Sequence, residues 1–159
     1  SQIPPRCIGC RYCMASCPYH ARYFNWYDPK WPGYLAQALT PDVSARMRGV
    51  VEKCSFCHHR FMKAQEAAVA AGNDPMDLPD GAYITACTEA CPNGAITFGD
   101  LNNPKHKVHE LSKSPYAFRL LERLGTDPQV YYLSKREWVR REGDNYLENE
   151  KTGENKRQG

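Results

Sequence analysis

Eight cysteines in two groups, with none left over, constrain this 159-residue chain more than any other feature of its sequence. The first group is closely spaced and ends before a proline: Cys7, Cys10, Cys13 and Cys17, followed by Pro18. The second group has a gap of 29 residues after its second cysteine: Cys54, Cys57, Cys87 and Cys91, followed by Pro92. With 12 Pro and 11 Gly the chain has a modest core, and we expect these thiols to reinforce it as metal or cluster ligands.

The spacing of the first group is typical of bacterial ferredoxins, in which three thiolates bind one 4Fe–4S cluster and the fourth binds a neighbouring cluster. Two residues between ligands let a tight loop enclose three corners of a cubane, and backbone N–H groups of that loop stabilise the sulfur charge. Gly9 permits close backbone approach, and Pro18 turns the chain away after the last ligand. The second group can enclose a cluster in the same way, with a helical insertion between its second and third cysteines. All eight cysteines are therefore predicted to be 4Fe–4S ligands.

Three other uses of the cysteines remain open at this point. A disulfide framework fits adjacent Cys-x-x-Cys pairs poorly. A redox dithiol needs one exposed pair on a thioredoxin-like pattern, which the sequence lacks. A structural zinc site is the more serious alternative, because Cys54, Cys57, Cys87 and Cys91 could form a tetrathiolate site. The protein would then be a zinc-stabilised structural or binding module.

Other side chains near the cysteines suggest tuning of a cluster rather than catalysis. Arg22 and Arg60 each follow a cysteine within five residues, where they could offset cluster charge, although a solvated surface position is nearly as common. The adjacent His58 and His59 could donate hydrogen bonds, yet such residues are more often polar surface. No nucleophile–base pair stands out beside the clusters. We therefore expect single-electron relay and no catalytic residue.

Residue patterns predict few regular elements. Residues 28–49 are rich in Pro and Gly and are interpreted as an irregular insertion. Residues 58–71 combine strong helix formers and end at Gly72, which predicts a helix. Apolar residues within 116–124 have helical spacing and end before Gly125. Short strands are expected at 23–27, 95–98 and 130–133.

An internal repeat points to a duplicated architecture. Residues 13–21 resemble residues 87–95, and each copy contains Cys-x-x-x-Cys-Pro before a predicted strand. We predict an α+β, ferredoxin-like double-cluster fold with a pseudo-twofold repeat, large loop insertions and a C-terminal helical or irregular extension. The expected parts are a cluster domain at 1–110, a helix–strand extension at 111–140 that packs on the domain or on a partner, and a flexible tail at 141–159.

Charge and hydropathy argue against two classes of protein. The net charge of +3 is too small to indicate nucleic-acid binding, because the charges alternate in sign along most of the chain. No stretch of about 18 apolar residues occurs, so no membrane span is predicted. The chain starts at Ser1, shortly before the first cysteine, without a visible signal peptide, and we expect a processed protein or a segment of a longer one.

The residues around the cysteines resemble the iron–sulfur subunits of the DMSO reductase superfamily, which have a four-cluster ferredoxin-like architecture. The matching positions lie between about residues 6 and 110: 6–13, 17–19, 53–57, 60, 86–87, 91–92, 95–96 and 98–100. Further positions resemble a narrower branch of this superfamily, which includes the iron–sulfur part of alternative complex III and related quinone reductase complexes. These positions are 24–26, 31–32, 41–43 and, less specifically, 116–133.

The resemblance implies a subunit that relays single electrons through 4Fe–4S clusters in a membrane-associated quinol or quinone oxidoreductase complex of a respiratory chain. Its implied partners are an integral-membrane quinone-binding subunit of the polysulfide reductase type and a molybdopterin-type subunit, a multihaem cytochrome c, or both. Such a subunit lies on the periplasmic side of the cytoplasmic membrane, held there by its partner.

The number of cysteine groups departs from the family. Its members usually have four groups, and the two present here resemble the third and fourth. The family pairs the third with the second and the fourth with the first, so the favoured expectation is that this chain holds shares in up to four clusters. The alternative is a free-standing two-cluster ferredoxin. One cluster would then bind Cys7, Cys10, Cys13 and Cys91, and the other Cys17, Cys54, Cys57 and Cys87.

The identity of residue 10 is a second departure. The alternative complex III branch often lacks a cysteine at this position and holds a 3Fe–4S cluster there. Cys10 is present in this sequence, which predicts a complete 4Fe–4S cluster at the site.

Overall fold

Short helices and two small antiparallel sheets make up the part of the chain that the structure describes. A computed structural model describes residues 2–144. The chain divides into two units: residues 1–78 with 82–90, and residues 79–81 with 91–159. The helices are α1 (Tyr12–Ala15), α2 (Gly33–Ala36), α3 (His58–Ala70), α4 (Ala86–Glu89), α5 (Lys107–Ser112) and α6 (Glu137–Asp144). Two 3₁₀ turns span Pro4–Arg6 and Glu122–Leu124, and the strands are β1 (Tyr23–Phe24), β2 (Val51–Glu52), β3 (Ala117–Phe118) and β4 (Tyr132–Leu133). The predicted α+β class is confirmed.

The first unit is centred on the pairing of β1 with β2. These strands are antiparallel, with Phe24 opposite Val51 and Tyr23 opposite Glu52. The ladder continues beyond the strands through the bond from the Asn25 N–H to the Val50 carbonyl. Val51 is only 1% exposed, and in the described part of the chain it shares the buried apolar core with Val50 alone. So small a core is consistent with a fold that needs reinforcement from bound groups.

The helix α3 confirms the prediction for residues 58–71. Helix formers such as Ala, Met, Lys, Gln and Glu dominate its 13 residues. It ends in a Schellman motif: the N–H of Asn73 bonds the carbonyl of Ala68, and the N–H of Gly72 bonds that of Val69. Gly72 has a φ of 75°, which glycine adopts without steric cost. Residues 28–49, the predicted insertion, contain one short helix, α2, among turns and bends.

The second unit is built from β3, β4 and the helices α5 and α6. Ala117 of β3 lies opposite Leu133 of β4, and Phe118 lies opposite Tyr132. The α6 backbone at Gly143 packs so closely on the ring of Phe118 that a Cβ at Gly143 would overlap the ring. This helix therefore runs into the segment predicted as a tail from Arg141. Residues 145–159 of that tail lie outside the described residues, and the predicted domain boundaries stay predictions.

Two predicted elements are wrong. Residues 95–98 form no strand in the described structure, and the N–H of Ala95 bonds the sulfur of Cys91, four residues earlier. Residues 116–124 form no continuous helix. Leu121 takes a left-handed φ of 52°, its N–H bonds the carbonyl of Gly143, and the preceding residues form β3. The helical spacing in the sequence was overridden by pairing with β4 and packing against α6.

The other two predicted strands are confirmed in shortened form. Residues 23–27 yield the two-residue β1, and residues 130–133 yield the two-residue β4. Among the described residues, no helix combines the length and apolar character needed to cross a bilayer.

Candidate iron–sulfur centre

The first cysteine group lies on a tight loop between a 3₁₀ turn and α1. The 3₁₀ turn Pro4–Arg6 ends at Cys7, and α1 carries Cys13. Between them Gly9 and Arg11 both take left-handed conformations, with φ of 72° and 61°. A Cβ at Gly9 would overlap the carbonyl oxygen of Gly49, so this position requires glycine for two separate reasons. The loop is thus curved in the way that ligands at x-x spacing require.

The sulfur of Cys7 is joined to the buried strand β2. The N–H of Val51 lies 3.3 Å from the Cys7 Sγ. This bond, followed by a bond from the Gly9 N–H, lowers the pKa of the Cys7 thiol by stabilising the thiolate. A thiolate is the form that binds iron, so the fold favours the ligand state of Cys7.

Cys17 and Cys91 have closely similar surroundings, although they lie in different units. The largest cause that lowers the pKa of Cys17 is a hydrogen bond from the N–H of Ala21, and for the pKa of Cys91 it is the corresponding bond from the N–H of Ala95. The Ala95 bond to the Cys91 Sγ is 3.3 Å long. Each cysteine carbonyl also accepts a bond from the third residue after it, His20 or Gly94.

The backbone conformation repeats as well. His20 and Gly94, which occupy equivalent positions, both take a left-handed φ, of 49° and 58°. After each Cys-Pro pair, the chain therefore folds back so that successive N–H groups face the sulfur. This local geometry matches the sequence repeat of residues 13–21 and 87–95.

The pair Cys54 and Cys57 lies immediately before α3. The N–H of Phe56 lies 3.4 Å from the Cys54 Sγ, and both Phe56 and Cys57 have left-handed φ values of 52° and 53°. Left-handed backbone at two consecutive non-glycine residues is uncommon, and such strain concentrates at functional sites. Here it turns the chain around the Cys54 sulfur before the helix begins.

Two sets of bonds bring Cys87 to the same region of the first unit. The N–H of Ala86 donates to the Cys57 Sγ at 3.3 Å. Arg60 Nη1 reaches the carbonyl of Ile84 at 3.1 Å and the Oε2 of Glu89 at 2.7 Å. Arg60 therefore ties α3 to the segment that carries Cys87. The sequence suggested charge compensation for Arg60, and the structure gives it this structural contact with Glu89.

The remaining charged and aromatic candidates have defined surroundings. Arg22 donates to Gln2 at 2.9 Å and contributes a Coulombic effect to the lowered pKa of Cys17. Trp26 packs edge-on against Phe24 at 4.6 Å, and the Arg11 guanidinium lies over the Trp26 ring at 4.9 Å. The His58 ring packs beside that of Phe61, with 6.0 Å between their centroids.

The donor set fits iron–sulfur clusters. Backbone N–H groups point at cysteine sulfurs in both groups, which is the arrangement that stabilises the charge of cluster ligands. Across residues 2–144, no three Cys, His, Asp or Glu side chains converge as ligands of a single metal ion. The thiolates around a cubane bind separate iron corners, so they need not converge on one point.

Comparison with known proteins identifies the class. Residues 6–60 match the model of a 4Fe-4S dicluster domain. The chain is 76% identical over 151 residues to the menaquinone reductase, iron-sulfur cluster-binding subunit of Nitratidesulfovibrio vulgaris, covering 95% of this chain and 59% of the relative. It is 42% identical to the Hdr-like menaquinol oxidoreductase iron-sulfur subunit 1 of Archaeoglobus fulgidus, covering 80% of this chain and 43% of the relative. It is 33% identical to a polypeptide of the polysulfide reductase of Wolinella succinogenes, covering 80% and 47%.

The chain is therefore an iron–sulfur protein with an α+β, ferredoxin-like fold, and its cofactors are 4Fe–4S clusters. It is similar to iron–sulfur subunits of menaquinone reductase, menaquinol oxidoreductase and polysulfide reductase, which agrees with the resemblance found in the sequence. The zinc interpretation is not supported by any of these relatives. The chain spans about half the length of the curated relatives it matches.

A bound 4Fe–4S cluster supplies a one-electron redox couple. The residues of this protein would supply the rest of the chemistry: cysteine thiolates to hold the iron, backbone N–H groups to stabilise the sulfur charge, and tight loops to fix their positions. Sequence reasoning missed the donors Val51 and Ala86, whose side chains carry no signal. It also missed Thr85 and Glu89, although a Thr directly before a short helical stretch is a recognisable N-cap signal.

Proposed function

We propose that all eight cysteines ligate 4Fe–4S clusters and that the chain relays single electrons within a membrane-associated quinol or quinone oxidoreductase complex. The observation that carries the ligand assignment is the set of backbone N–H bonds to cysteine sulfurs, at Cys7, Cys57 and Cys91. A fourth bond, from the Phe56 N–H to the Cys54 Sγ, is donated by a residue in a costly left-handed conformation, and Cys57 next to it is left-handed as well. Because holding N–H donors against the sulfurs in this way costs conformational free energy, their presence indicates that the sulfurs carry charge in the functional protein.

Relay without bond chemistry follows from the ligand chemistry. When every iron corner has a protein thiolate, no iron has an open position for a substrate. The ionisable side chains around the cysteines form structural contacts, such as that of Arg60 with Glu89, rather than a nucleophile–base pair. The proposed role is therefore electron transfer between two other redox centres.

The proposed partners are those that the family resemblance implies, and the names of the relatives support the link to quinones and to polysulfide reductase. Menaquinone reductase, menaquinol oxidoreductase and polysulfide reductase components are among them. We propose an integral-membrane quinone-binding partner of the polysulfide reductase type, and a molybdopterin-type subunit, a multihaem cytochrome c, or both, as the second redox partner. The protein would lie peripherally on the periplasmic side of the membrane.

A pseudo-twofold relation between the two Cys-Pro segments is the proposed architecture of the cluster domain. The N–H donors from Ala21 and Ala95, and the left-handed His20 and Gly94, support it. The domain boundaries proposed are residues 1–110, 111–140 and 141–159. Two pairings of the cysteines fit this relation: shares in up to four clusters of a longer protein, or two clusters completed within the chain.

Substitution of single cysteines in the intact complex tests the ligand assignment. Cys57→Ala should remove one cluster's electron paramagnetic resonance (EPR) signal and lower the iron and acid-labile sulfide content. The matched control is Ser55→Ala, one residue beyond Cys54, which should leave the EPR signal and the iron and sulfide content unchanged. A Cys57→Ala protein with the iron, sulfide and EPR signals of the wild type would overturn the assignment.

A further inference from the structure

A buried hydroxyl lies against the sulfur of Cys87. Thr85 is only 3% exposed and is the N-cap of α4, where its Oγ1 accepts a bond from the Thr88 N–H at 3.4 Å. The same Oγ1 lies 3.1 Å from the Cys87 Sγ and 2.8 Å from the Thr88 Oγ1. The Thr85 Oγ1 thus has three polar atoms within hydrogen-bond distance, and its hydroxyl has only one proton to donate.

Ligation of Cys87 fixes the direction of these bonds. A thiolate has no proton, so the Cys87 sulfur can only accept, and the Thr85 hydroxyl is the group that donates to it. The Thr85 oxygen then accepts from the Thr88 hydroxyl as well as from the Thr88 N–H. The result is a short series of donors, from Thr88 through Thr85, that ends on the sulfur.

We propose that the Thr85 hydroxyl sets the reduction potential of the cluster bound by Cys87, with Thr88 reinforcing it. This inference rests on the proposed ligand role of Cys87. Reduction adds one negative charge that is shared with the ligand sulfurs, so a donor to the sulfur stabilises the reduced cluster more than the oxidised one. The hydroxyl therefore raises the potential. Burial of Thr85 strengthens the effect, because water does not compete for the proton of the buried Thr85 hydroxyl.

The same residue also has a structural role, as the cap of α4, and the variants must separate the two roles. Thr85→Val has nearly the same shape and removes both the cap acceptor and the sulfur donor. Thr85→Ser keeps both. Thr88→Val keeps the Thr85 hydroxyl and the Thr88 N–H, and removes only the outer hydroxyl. If the role of Thr85 were only structural, Thr88→Val would not change the reduction potential of the cluster.

The test is an EPR-monitored redox titration of the full protein in its complex, with iron content measured on the same samples. In Thr85→Val we expect one cluster to shift to lower potential, by about threefold to tenfold in its oxidised-to-reduced ratio, while the other clusters stay unchanged. Thr85→Ser should match the wild type. Thr88→Val should shift the same cluster in the same direction by less.

Full iron content with unchanged potentials in Thr85→Val would overturn the proposal. If Thr85→Val loses the cluster, Thr88→Val decides: a fully loaded Thr88→Val protein with wild-type potentials overturns it too. Failure of the ligand assignment itself has a different signature, since Cys87→Ala would then keep every cluster. The two hypotheses therefore fail separately.

Discussion

The N–H of Ala86 donates a hydrogen bond to the Cys57 sulfur across 3.3 Å, and so joins two halves of a cysteine group that the sequence separates by 29 residues. Ala86 is the first residue of α4, and Thr85 before it has extended backbone, with φ −71° and ψ 153°. Proline is favoured at the first position of a helix, as at Ala86, and the residue before a proline prefers extended backbone, as at Thr85. The donor can therefore be removed by substitution at little cost to the local backbone.

Ala86→Pro should lower the potential of the cluster bound by Cys57. The substitution removes one N–H bond to a proposed ligand sulfur, worth about 0.5–1.5 kcal/mol net, which for a one-electron couple is about 20–60 mV. Ala86→Ser keeps the N–H and should have the wild-type potential. Redox titration of the two variants measures the difference, and identical potentials in fully loaded proteins would show that this N–H does not act on a cluster.

Removal of the Arg60 side chain should loosen the second cysteine group. Arg60→Gln loses the bonds to the Ile84 carbonyl and to Glu89, and the partly exposed position limits the cost to about 0.5–1.5 kcal/mol. We expect faster bleaching of the iron–sulfur absorbance when a chelator is added. Glu89→Gln, which keeps a neutral acceptor for Arg60, should bleach at an intermediate rate. Equal rates in all three proteins would contradict this role.

Gly9→Ala should destabilise the first cysteine loop. A Cβ there overlaps the Gly49 carbonyl and also imposes a left-handed conformation on a non-glycine residue, which alone costs about 1–2 kcal/mol. The matched control is Gly72→Ala, where φ is also positive at 75° but no neighbouring atom lies within 4 Å of a Cβ. Thermal unfolding of the loaded proteins should show the larger loss of stability for Gly9→Ala. A loss no larger than that of Gly72→Ala would contradict the close approach to Gly49.

Much of the site could be predicted from the sequence, because ligand spacing is a local property. The spacing of the first cysteine group, the close backbone approach at Gly9 and the helix after Cys57 all follow from residues within a few positions of one another, and the ligand role of the eight cysteines stays a prediction. The donors Val51 and Ala86 could not be predicted, since a backbone N–H is present in nearly every residue and only the tertiary fold decides which sulfur it reaches. Thr85 was missed because its N-cap signal says nothing of the cysteine two residues on.

The two wrong elements have the same physical origin. Residues 95–98 have strand-like composition, yet their first N–H bonds the sulfur of Cys91. Residues 116–124 have helical periodicity, yet Phe118 pairs with Tyr132 and packs under Gly143. In each segment a specific contact, local at Ala95 and tertiary at Phe118, accompanies the departure from local propensity, which is worth only a fraction of a kcal/mol per residue.

Comparison of Cys7→Ala with Cys91→Ala should resolve which cysteines share a cluster. The family pairing places these two residues on different clusters, so each variant should lose a different EPR signal and the double variant should lose both. Loss of one and the same signal in both single variants would instead show a shared cluster, and with it the two-cluster ferredoxin arrangement. Spin quantification on reduced samples gives the answer directly.

Binding of 4Fe–4S clusters that carry single electrons is tested most directly by one redox-poised EPR titration of the purified complex, with iron, zinc and acid-labile sulfide measured on the same sample. We predict iron and sulfide in equal amounts, no stoichiometric zinc, and cluster signals that appear on reduction in one-electron steps and that exchange electrons with a quinol or a quinone. Stoichiometric zinc without sulfide, or clusters that neither a quinol reduces nor a quinone reoxidises in the intact complex, would contradict electron relay by this protein.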